Sequence, residues 1–231
     1  MRLLALDTSS VACSVALQID DVITDRHEEQ PREHTRLLMP MIDAVLKETS
    51  VSLHELDAIV LGNGPGSFIG MRIAASVAQG LAFGASLNIV PVSSMAAIAA
   101  RVFSEDDADQ VVIAQDAHMQ EVYLGIYRRD ERNRPVALLP ERLHGMGEIS
   151  ELADSGDASR LAAGFGWQRY PELLQANQHQ IARFLDFQHP LARDLLGLAT
   201  DMLGKGQAVK PQDIEPAYLR QKVAEKPDLA S

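Results

Sequence analysis

The chain has 231 residues, 46% of them hydrophobic and 23% charged, which is close to the average composition of soluble globular proteins. It is long enough to bury a sizeable core, and its one cysteine, Cys13, allows no intrachain disulfide, so we expect a cytoplasmic protein with a buried structural thiol. The net charge of −11 repels phosphate backbones and argues against a protein that grips nucleic acid alone through a basic patch.

The first half of the chain predicts three strands followed by alternating helices and strands. Turn residues at 7–10 separate the first two strands, and Ser93 and Ser94 are expected to cap the third helix. In chain order, the predicted elements are strands at 3–6, 13–19 and 22–28, a helix at 34–47, a strand at 56–61, a helix at 68–83, a strand at 89–92 and a helix from 93 to 103.

A stretch without formal charge runs from Ile73 to Ala100, and its length alone would permit a membrane span. Polar residues, glycines and a proline divide it into a helix, a turn and a strand, so the sequence predicts no span. The dividing residues are Gln79, Gly80, Gly84, Asn88 and Pro91.

The second half opens with a pattern like that of the first. After a charged segment at 104–109, which predicts a domain boundary, residues 111–127 form an apolar strand ending at an aspartate, a short polar turn and a second strand. Asp116 thus corresponds to Asp7, and the pattern indicates either an internal duplication or two unrelated hairpins. Further elements are predicted as a strand at 161–163 that runs into a glycine turn, and as helices at 171–176 and 190–203.

Standard catalytic patterns are absent from the sequence. The glycine-rich loop at 62–70 lies between a strand and a helix but lacks the Lys of a Walker loop and the third Gly of a dinucleotide loop, so a tight turn with Ser67 as helix cap explains it better. The seven histidines show no helical metal-ligand spacing, and no nucleophile elbow occurs. Asp7 and Asp116 remain candidates either for water-mediated Mg²⁺ binding or for turn stabilisation.

The two long helices of the first half are apolar around more of their circumference than a one-sided surface helix needs. In the second of them, Gly70, Ala74 and Ala78 form a row of small residues that would let another helix approach closely. Either both helices are buried between layers, or each buries one face and offers the other to a partner.

Six segments stand in order along the chain: LALDTS at 4–9, PREHT at 31–35, GPGSFIGMR at 64–72, DA at 116–117 with EVY at 121–123, GFGW at 164–167 and EPAYLR at 215–220. Together they resemble the bacterial TsaB (YeaZ) family over nearly the whole chain. The GPGSF-x-G-x-R block and the terminal E-P-x-Y-L-R are specific in combination.

The resemblance implies an α/β fold of the actin/Hsp70/sugar-kinase type with two ribonuclease-H-like subdomains. Residues 1–104, together with the C-terminal helix and tail at about 190–222, are expected to form the partner-binding subdomain. Residues 105–189 are expected to form a smaller one, and 223–231 a frayed tail.

The resemblance also implies a function. The chain is expected to be a non-catalytic subunit in the synthesis of tRNA N6-threonylcarbamoyladenosine, next to the anticodon. It would bind and activate the catalytic paralogue TsaD together with the ATPase TsaE, and would contact tRNA only through that complex. Self-association is expected through the same helices, at 34–48 and 68–84, and no membrane is involved.

The resemblance assigns three sets of residues. The expected partner interface consists of His34, Leu37, Leu38, Met41, Val45, Gly70, Met71, Ala74, Ala75 and Ala78. A vestigial or weak nucleotide site is expected at Asp7, Ser9, Ser10, Asp116 and Gly164, and a structural loop at Gly64, Pro65, Gly66, Ser67 and Arg72. No metal site and no tightly bound cofactor is expected, with ATP or ADP and Mg²⁺ at the interface of the complex as the alternative.

Two departures from the family pattern weaken the nucleotide site. Thr8-Ser9-Ser10 stands where the fold uses a glycine-containing phosphate turn, and His118 and Gln120 replace an Arg and a Gly of the second hairpin. Two alternative functions remain: an ATP-dependent small-molecule kinase that uses Asp7 and Asp116, and a protease or chaperone-like regulator of TsaD.

Overall fold

A computed structural model describes residues 1–155 and 160–220, and its first sheet is built from residues 2–92. The strand order is β3-β2-β1-β4-β5; β1, β2 and β3 are antiparallel neighbours, whereas β4 and β5 run parallel to β1. The strands are β1 (Arg2–Asp7), β2 (Cys13–Ile19), β3 (Val22–Glu28), β4 (Ala58–Gly62) and β5 (Asn88–Val92). The central strands β1 and β4 read as continuous apolar runs because both faces of this sheet are covered.

The second sheet repeats the topology of the first. Its order β8-β7-β6-β10-β11 again joins three antiparallel strands to two strands parallel to the first of them, and a further strand, β9, pairs with β7. The strands are β6 (Gln110–Asp116), β7 (Val122–Arg129), β8 (Pro135–Ala137), β9 (Arg142–His144), β10 (Arg160–Ala163) and β11 (Arg183–Phe184). The shared topology favours an internal duplication over two unrelated hairpins. It gives two ribonuclease-H-like halves, each with an aspartate at the end of its first strand.

Helices cover both faces of the first sheet. The helices are α1 (His34–Thr49), α2 (Phe68–Ala85), α3 (Ser94–Glu105), α4 (Phe165–Arg169), α5 (Pro171–Asn177) and α6 (Ala192–Gly204). α1 and α2 pack on one face, where Leu38 and Ala78 join a core with Leu4. α6 packs on the other face, where Leu195 contacts the cluster around Ala5.

α3 lies between the two halves. It contacts α6 and also β6, β7 and β8 of the second sheet. Ser93 caps this helix by accepting a hydrogen bond from the Ala96 N–H at 3.1 Å, as predicted, whereas Ser94 is the first helical residue and its hydroxyl bonds to Asp7 instead. Because α3 packs against elements of both halves, its contacts do not mark where one half ends, and the domain boundaries at 104/105 and 189/190 stay a prediction. The expected tail at 223–231 lies outside the described residues.

The long elements lie within a few residues of their predicted bounds, but three short strands and one helix differ. β8, β9 and β11 were not predicted, and residues 165–169 form α4 instead of a turn. α2 is, within the described part of the chain, the one helix that could cross a membrane by length and composition, a test that the core helix of a soluble protein also passes. The interruption after α2 is as predicted, since β5 follows at Asn88.

The thiol of Cys13 is buried, as expected. Burial raises its pKa to about 12, with smaller contributions from the negative charges of Asp7 and Glu28. A thiol that stays protonated is a poor nucleophile, so Cys13 serves packing in β2.

Candidate functional site

Asp7 is buried at the end of β1, and both of its carboxylate oxygens are occupied by donors from this chain. Oδ1 accepts hydrogen bonds from the N–H and the hydroxyl of Ser9 at 2.8 and 2.7 Å, and Oδ2 accepts one from the hydroxyl of Ser94 at 2.6 Å. Burial raises the pKa of Asp7, and these hydrogen bonds oppose the shift. The observed arrangement is that of a turn-stabilising carboxylate.

The glycine-rich loop packs directly on the turn that follows Asp7. The Ser67 N–H donates to the carbonyl of Ser9 at 2.6 Å, and the Thr8 hydroxyl donates to the carbonyl of Gly70 at 2.7 Å. A Cβ on Gly66 would lie only 2.1 Å from the carbonyl oxygen of Ser9, and a Cβ on Gly70 only 1.9 Å from that of Thr8. The loop therefore requires glycine for close backbone contact, and it covers the turn at Thr8 and Ser9.

The rest of the predicted loop has structural contacts too. Gly64 has a φ of +78°, and its N–H and carbonyl both bond to Ser94. Ser67 caps α2 by accepting from the Gly70 N–H at 3.2 Å, as predicted. Pro65 is buried beside them. The structural role expected for this loop agrees with these contacts.

Asp116 occupies the corresponding position at the end of β6. Its Oδ1 accepts from the His118 N–H at 2.8 Å and from the Tyr170 hydroxyl at 2.7 Å. His118, Met119 and Gln120 all have positive φ values, a conformation that is costly for residues with a side chain. The two replacements noted in the sequence, at 118 and 120, thus lie in a strained left-handed turn.

A cavity of about 580 Å³ between the two halves brings together part of the predicted nucleotide site. Ser9, Ser10 and Asp116 line it, whereas the Asp7 carboxylate lies beneath the turn. Gly164 lines a separate cavity of about 240 Å³, and its φ of +104° and the nearby Ala114 carbonyl explain the glycine. The predicted set is therefore only partly assembled.

Residues that were not among the predicted site residues complete this cavity. Gln115, Phe165 and His189 line it, and the rings of Phe165 and His189 lie 5.6 Å apart. Burial lowers the pKa of His189, which favours the neutral form of its imidazole. Within the described residues, no group of three His, Cys, Asp or Glu side chains is placed to hold a metal ion.

The C-terminal motif also converges on this region. Residues 215–220, here called the C-terminal strap, lie beside a second cavity of about 290 Å³. Its lining combines segments that carry the family resemblance: Gly66, Ser67 and Phe68 of the loop, Asp116 and Ala117 of the second hairpin, and Tyr218 and Arg220 of the strap. In the sequence, only the motif EPAYLR indicated that Tyr218 and Arg220 have a role.

The predicted partner interface needs correction. Nine of its ten residues are buried within this chain, and Leu37 is partly buried. Ala74 and Ala78 are fully buried against the sheet, so the row Gly70-Ala74-Ala78 lets α2 approach its own core and not a partner. His34 is likewise held inside, with its Nε2 2.9 Å from the carbonyl of Ser10.

The opposite face of α2 is exposed and carries another row of small residues. Ser76, Gly80 and Gly84 follow one another at four-residue spacing, and, apart from the neighbouring backbone of α2 itself, no described atom lies within 4 Å of a Cβ built on either glycine. Ile69 and Phe83 on the same face are 70% and 79% exposed. α2 thus buries one face against its own sheet and leaves the other open, and the docking of a partner on that open face stays a prediction.

A groove of about 500 Å³ runs between α1 and α2 on this exposed side. Its lining is largely apolar: Thr35, Leu38 and Met39 of α1, and Ile69, Arg72, Ile73, Ser76 and Val77 of α2. We call this groove and the row Ser76-Gly80-Gly84 the helix face. An exposed apolar surface of this kind is typical of a protein–protein interface.

Comparisons with known proteins agree with the geometry. A family model described as TsaD, tRNA N6-adenosine threonylcarbamoyltransferase, matches residues 22–227. The Escherichia coli K12 protein named tRNA threonylcarbamoyladenosine biosynthesis protein TsaB is 37% identical, covering 97% of this chain and 96% of its own length. The protein of that name from Haemophilus influenzae is 35% identical, with coverages of 96% and 95%.

Two solved structures from Pseudomonas aeruginosa have the same fold. One, described as similar to the peptidase YEAZ, has a TM-score of 0.87 and 37% identity over 95% of this chain and 99% of that one. The other, described as YeaZ, has a TM-score of 0.84 and 35% identity over 94% and 99%. These matches confirm the expected actin/Hsp70/sugar-kinase-like fold. The chain belongs to the TsaB (YeaZ) family of tRNA threonylcarbamoyladenosine biosynthesis proteins.

Proposed function

We propose that this chain is a non-catalytic, cytoplasmic subunit of the complex that synthesises N6-threonylcarbamoyladenosine in tRNA. It binds the catalytic paralogue TsaD through the helix face and acts together with the ATPase TsaE. The observation that carries the proposal is the exposed row Ser76-Gly80-Gly84, flanked by the apolar side chains of Ile69 and Phe83.

The physical basis of docking is close helix packing. Interaxial distances of 8–10 Å depend on the side chains at the crossing, and glycine permits the shorter values. A pair of partner helices that crosses α2 near Gly80 would fill the groove between α1 and α2 and would bury Ile69, Ile73 and Val77. Because the same face suits a second copy of this chain, self-association and TsaD binding compete.

The charge of the chain supports a division of labour. A protein with a net charge of −11 is repelled by tRNA, so tRNA contacts come from the partner. The Asp7 carboxylate is occupied by donors from Ser9 and Ser94, which leaves Mg²⁺-ATP chemistry to TsaD and TsaE. If ATP or ADP is present, it lies with Mg²⁺ at the interface of the complex.

The test is a matched pair of substitutions at exposed helix glycines. Gly80→Arg places a long charged side chain on the helix face, while Gly197→Arg places the same side chain on α6, where a Cβ also meets no described atom within 4 Å. Gly80→Arg should lose co-purification with TsaD and should make the isolated protein monomeric, with folding unchanged by circular dichroism. Gly197→Arg should behave like the wild type; equal TsaD binding by both variants would contradict the proposed interface.

A further inference from the structure

Arg72 is part of the helix face and also contacts the C-terminal strap. It is exposed on α2 and lines the groove beside α1. Its guanidinium carbon lies 3.7 Å from the centroid of the Phe68 ring and 5.6 Å from that of Tyr218, and its Nε donates to the Tyr218 hydroxyl at 3.0 Å. A partner that covers the groove therefore covers the residue that holds the strap.

The strap is anchored on the first half of the molecule by backbone and ring contacts. The Ala217 N–H donates to the Asn63 carbonyl at 3.2 Å, and the Asn63 side-chain amide donates to the Glu215 carbonyl at 3.0 Å. The rings of Phe68 and Tyr218 are 5.4 Å apart. These contacts place the strap alongside the start of α2.

The far end of the strap is fastened to the second half. The guanidinium of Arg220 forms an ion pair with Glu121 at 2.6 Å and donates to the carbonyls of Ala117 and His118 at 2.9 and 3.2 Å. Its side chain is only 14% exposed. Arg220 thus holds the left-handed turn of the second hairpin, and His118 of this turn lines the cavity between the halves.

The contacts of Arg72 and Arg220 form one continuous connection from the helix face to that turn. A stack of a cation on an aromatic ring strengthens when water is removed from it. Docking over Arg72 removes water from its stack on Phe68 and from its bond to Tyr218. Tyr218 and Arg220 belong to the same six-residue strap, so a change at Tyr218 can reach the contacts of Arg220 with the turn.

We propose that Arg72 and the strap couple docking at the helix face to closure of the two halves over the cavity. A partner helix that covers Arg72 tightens the strap, and Arg220 then holds the 117–121 turn more firmly. By linkage, loosening the turn must weaken docking by the same factor. The inference rests on the proposed docking of TsaD at the helix face.

The experiment measures TsaD affinity for two variants altered at the end of the strap remote from the helix face and for one altered where the strap meets Arg72. Arg220→Gln removes the ion pair with Glu121, and Glu121→Gln removes it from the other side. Tyr218→Phe keeps the ring but removes the oxygen that accepts from Arg72. The control, Arg183→Gln, makes the same charge change at an exposed ion pair with Asp106, outside the strap.

Each of the three variants should bind TsaD about fivefold or more weakly, the lower end of typical coupling between sites. Arg183→Gln should bind like the wild type. Hydrogen exchange of the 117–121 amides should slow when the wild type binds TsaD, and less so for Arg220→Gln.

Wild-type affinity in Arg220→Gln and Glu121→Gln, with unchanged exchange in the turn, would overturn the coupling. If Gly80→Arg still loses TsaD in that case, the proposed docking stands and only the coupling fails. If Gly80→Arg also binds normally, both fail.

Discussion

The hydroxyl of Ser94 donates to Oδ2 of Asp7 at 2.6 Å, although the two residues are 87 positions apart in sequence. The same hydroxyl accepts from the Gly64 N–H at 3.1 Å. One side chain at the start of α3 thus supports both the turn after β1 and the glycine-rich loop. This connection, together with the two hydrogen bonds from Ser9, gives the Asp7 carboxylate a structural role.

Removing that hydroxyl should destabilise the protein without touching the helix face. Ser94→Ala leaves the buried Asp7 carboxylate without one donor and the Gly64 N–H without its acceptor, and each such loss costs about 1–3 kcal/mol. Urea denaturation should show a loss of at least about 1 kcal/mol, whereas Ser76→Ala on exposed α2 should stay within about 0.5 kcal/mol of the wild type. Equal stability of the two variants would contradict the role assigned to Ser94.

Two glycines of α2, Gly70 in its first turn and Gly80 on the helix face, should respond oppositely to alanine. Gly70→Ala drives a Cβ to 1.9 Å from the Thr8 carbonyl oxygen, and overpacking of this kind costs about 1–3 kcal/mol or more. Gly80→Ala meets open space within the described residues and should gain about 0.5–1 kcal/mol from helix propensity. Thermal denaturation of the two variants decides the matter; a stabilised Gly70→Ala would contradict the observed packing.

The same alanine at Gly80 should weaken association. A methyl group on the helix face separates the crossing helices, so dimer and TsaD affinities should fall while the isolated chain becomes more stable. Gly197→Ala on α6 provides the matched control, with the same gain in helix propensity and unchanged association. Sedimentation equilibrium measures the dimer affinity and the TsaD affinity of each variant. Unchanged association of Gly80→Ala would show that no helix crosses α2 closely at this position.

Stability should depend on pH through Asp194. This carboxyl lies beside Arg101, with Nε to Oδ2 at 3.6 Å, and burial raises its pKa from 3.8 to about 6 despite that positive charge. Because the folded state binds this proton more tightly than the unfolded state, protonated Asp194 stabilises the fold. This stabilisation is complete below pH 3.8 and is lost as the pH rises to about 6.

Asp194→Asn removes this titration. Relative to the wild type, the variant should gain on the order of 2–3 kcal/mol in free energy of unfolding between pH 4 and pH 7. Urea titrations at several pH values give the difference curve directly. A difference that does not change with pH would show that Asp194 titrates normally in the folded chain.

The longer elements were predictable because their apolar patterns extend over enough residues to be recognised, as a continuous run in β1 and as alternation in β2. β8, β9 and β11 have only two or three residues each, too few for an alternating pattern. The duplication was visible as a pattern around Asp7 and Asp116, but only strand order distinguished it from two unrelated hairpins.

The orientation of α2 was not predictable, because the helix has small residues on two faces. Gly70-Ala74-Ala78 and Ser76-Gly80-Gly84 have equal spacing, and the choice between them depends on which row fits the sheet. Contacts such as that between Arg220 and Glu121 join segments distant in sequence and follow only from the tertiary fold.

The most direct test of the proposed function omits this chain from a reconstituted synthesis of threonylcarbamoyladenosine. TsaD, TsaE, the adenylate-forming enzyme, threonine, bicarbonate, ATP and tRNA are combined with and without it, and modified adenosine is measured by mass spectrometry of tRNA nucleosides. We predict product only when the chain is present, with Gly197→Arg as active as the wild type and Gly80→Arg equivalent to omission. Equal product with and without the chain would contradict its role as a required subunit.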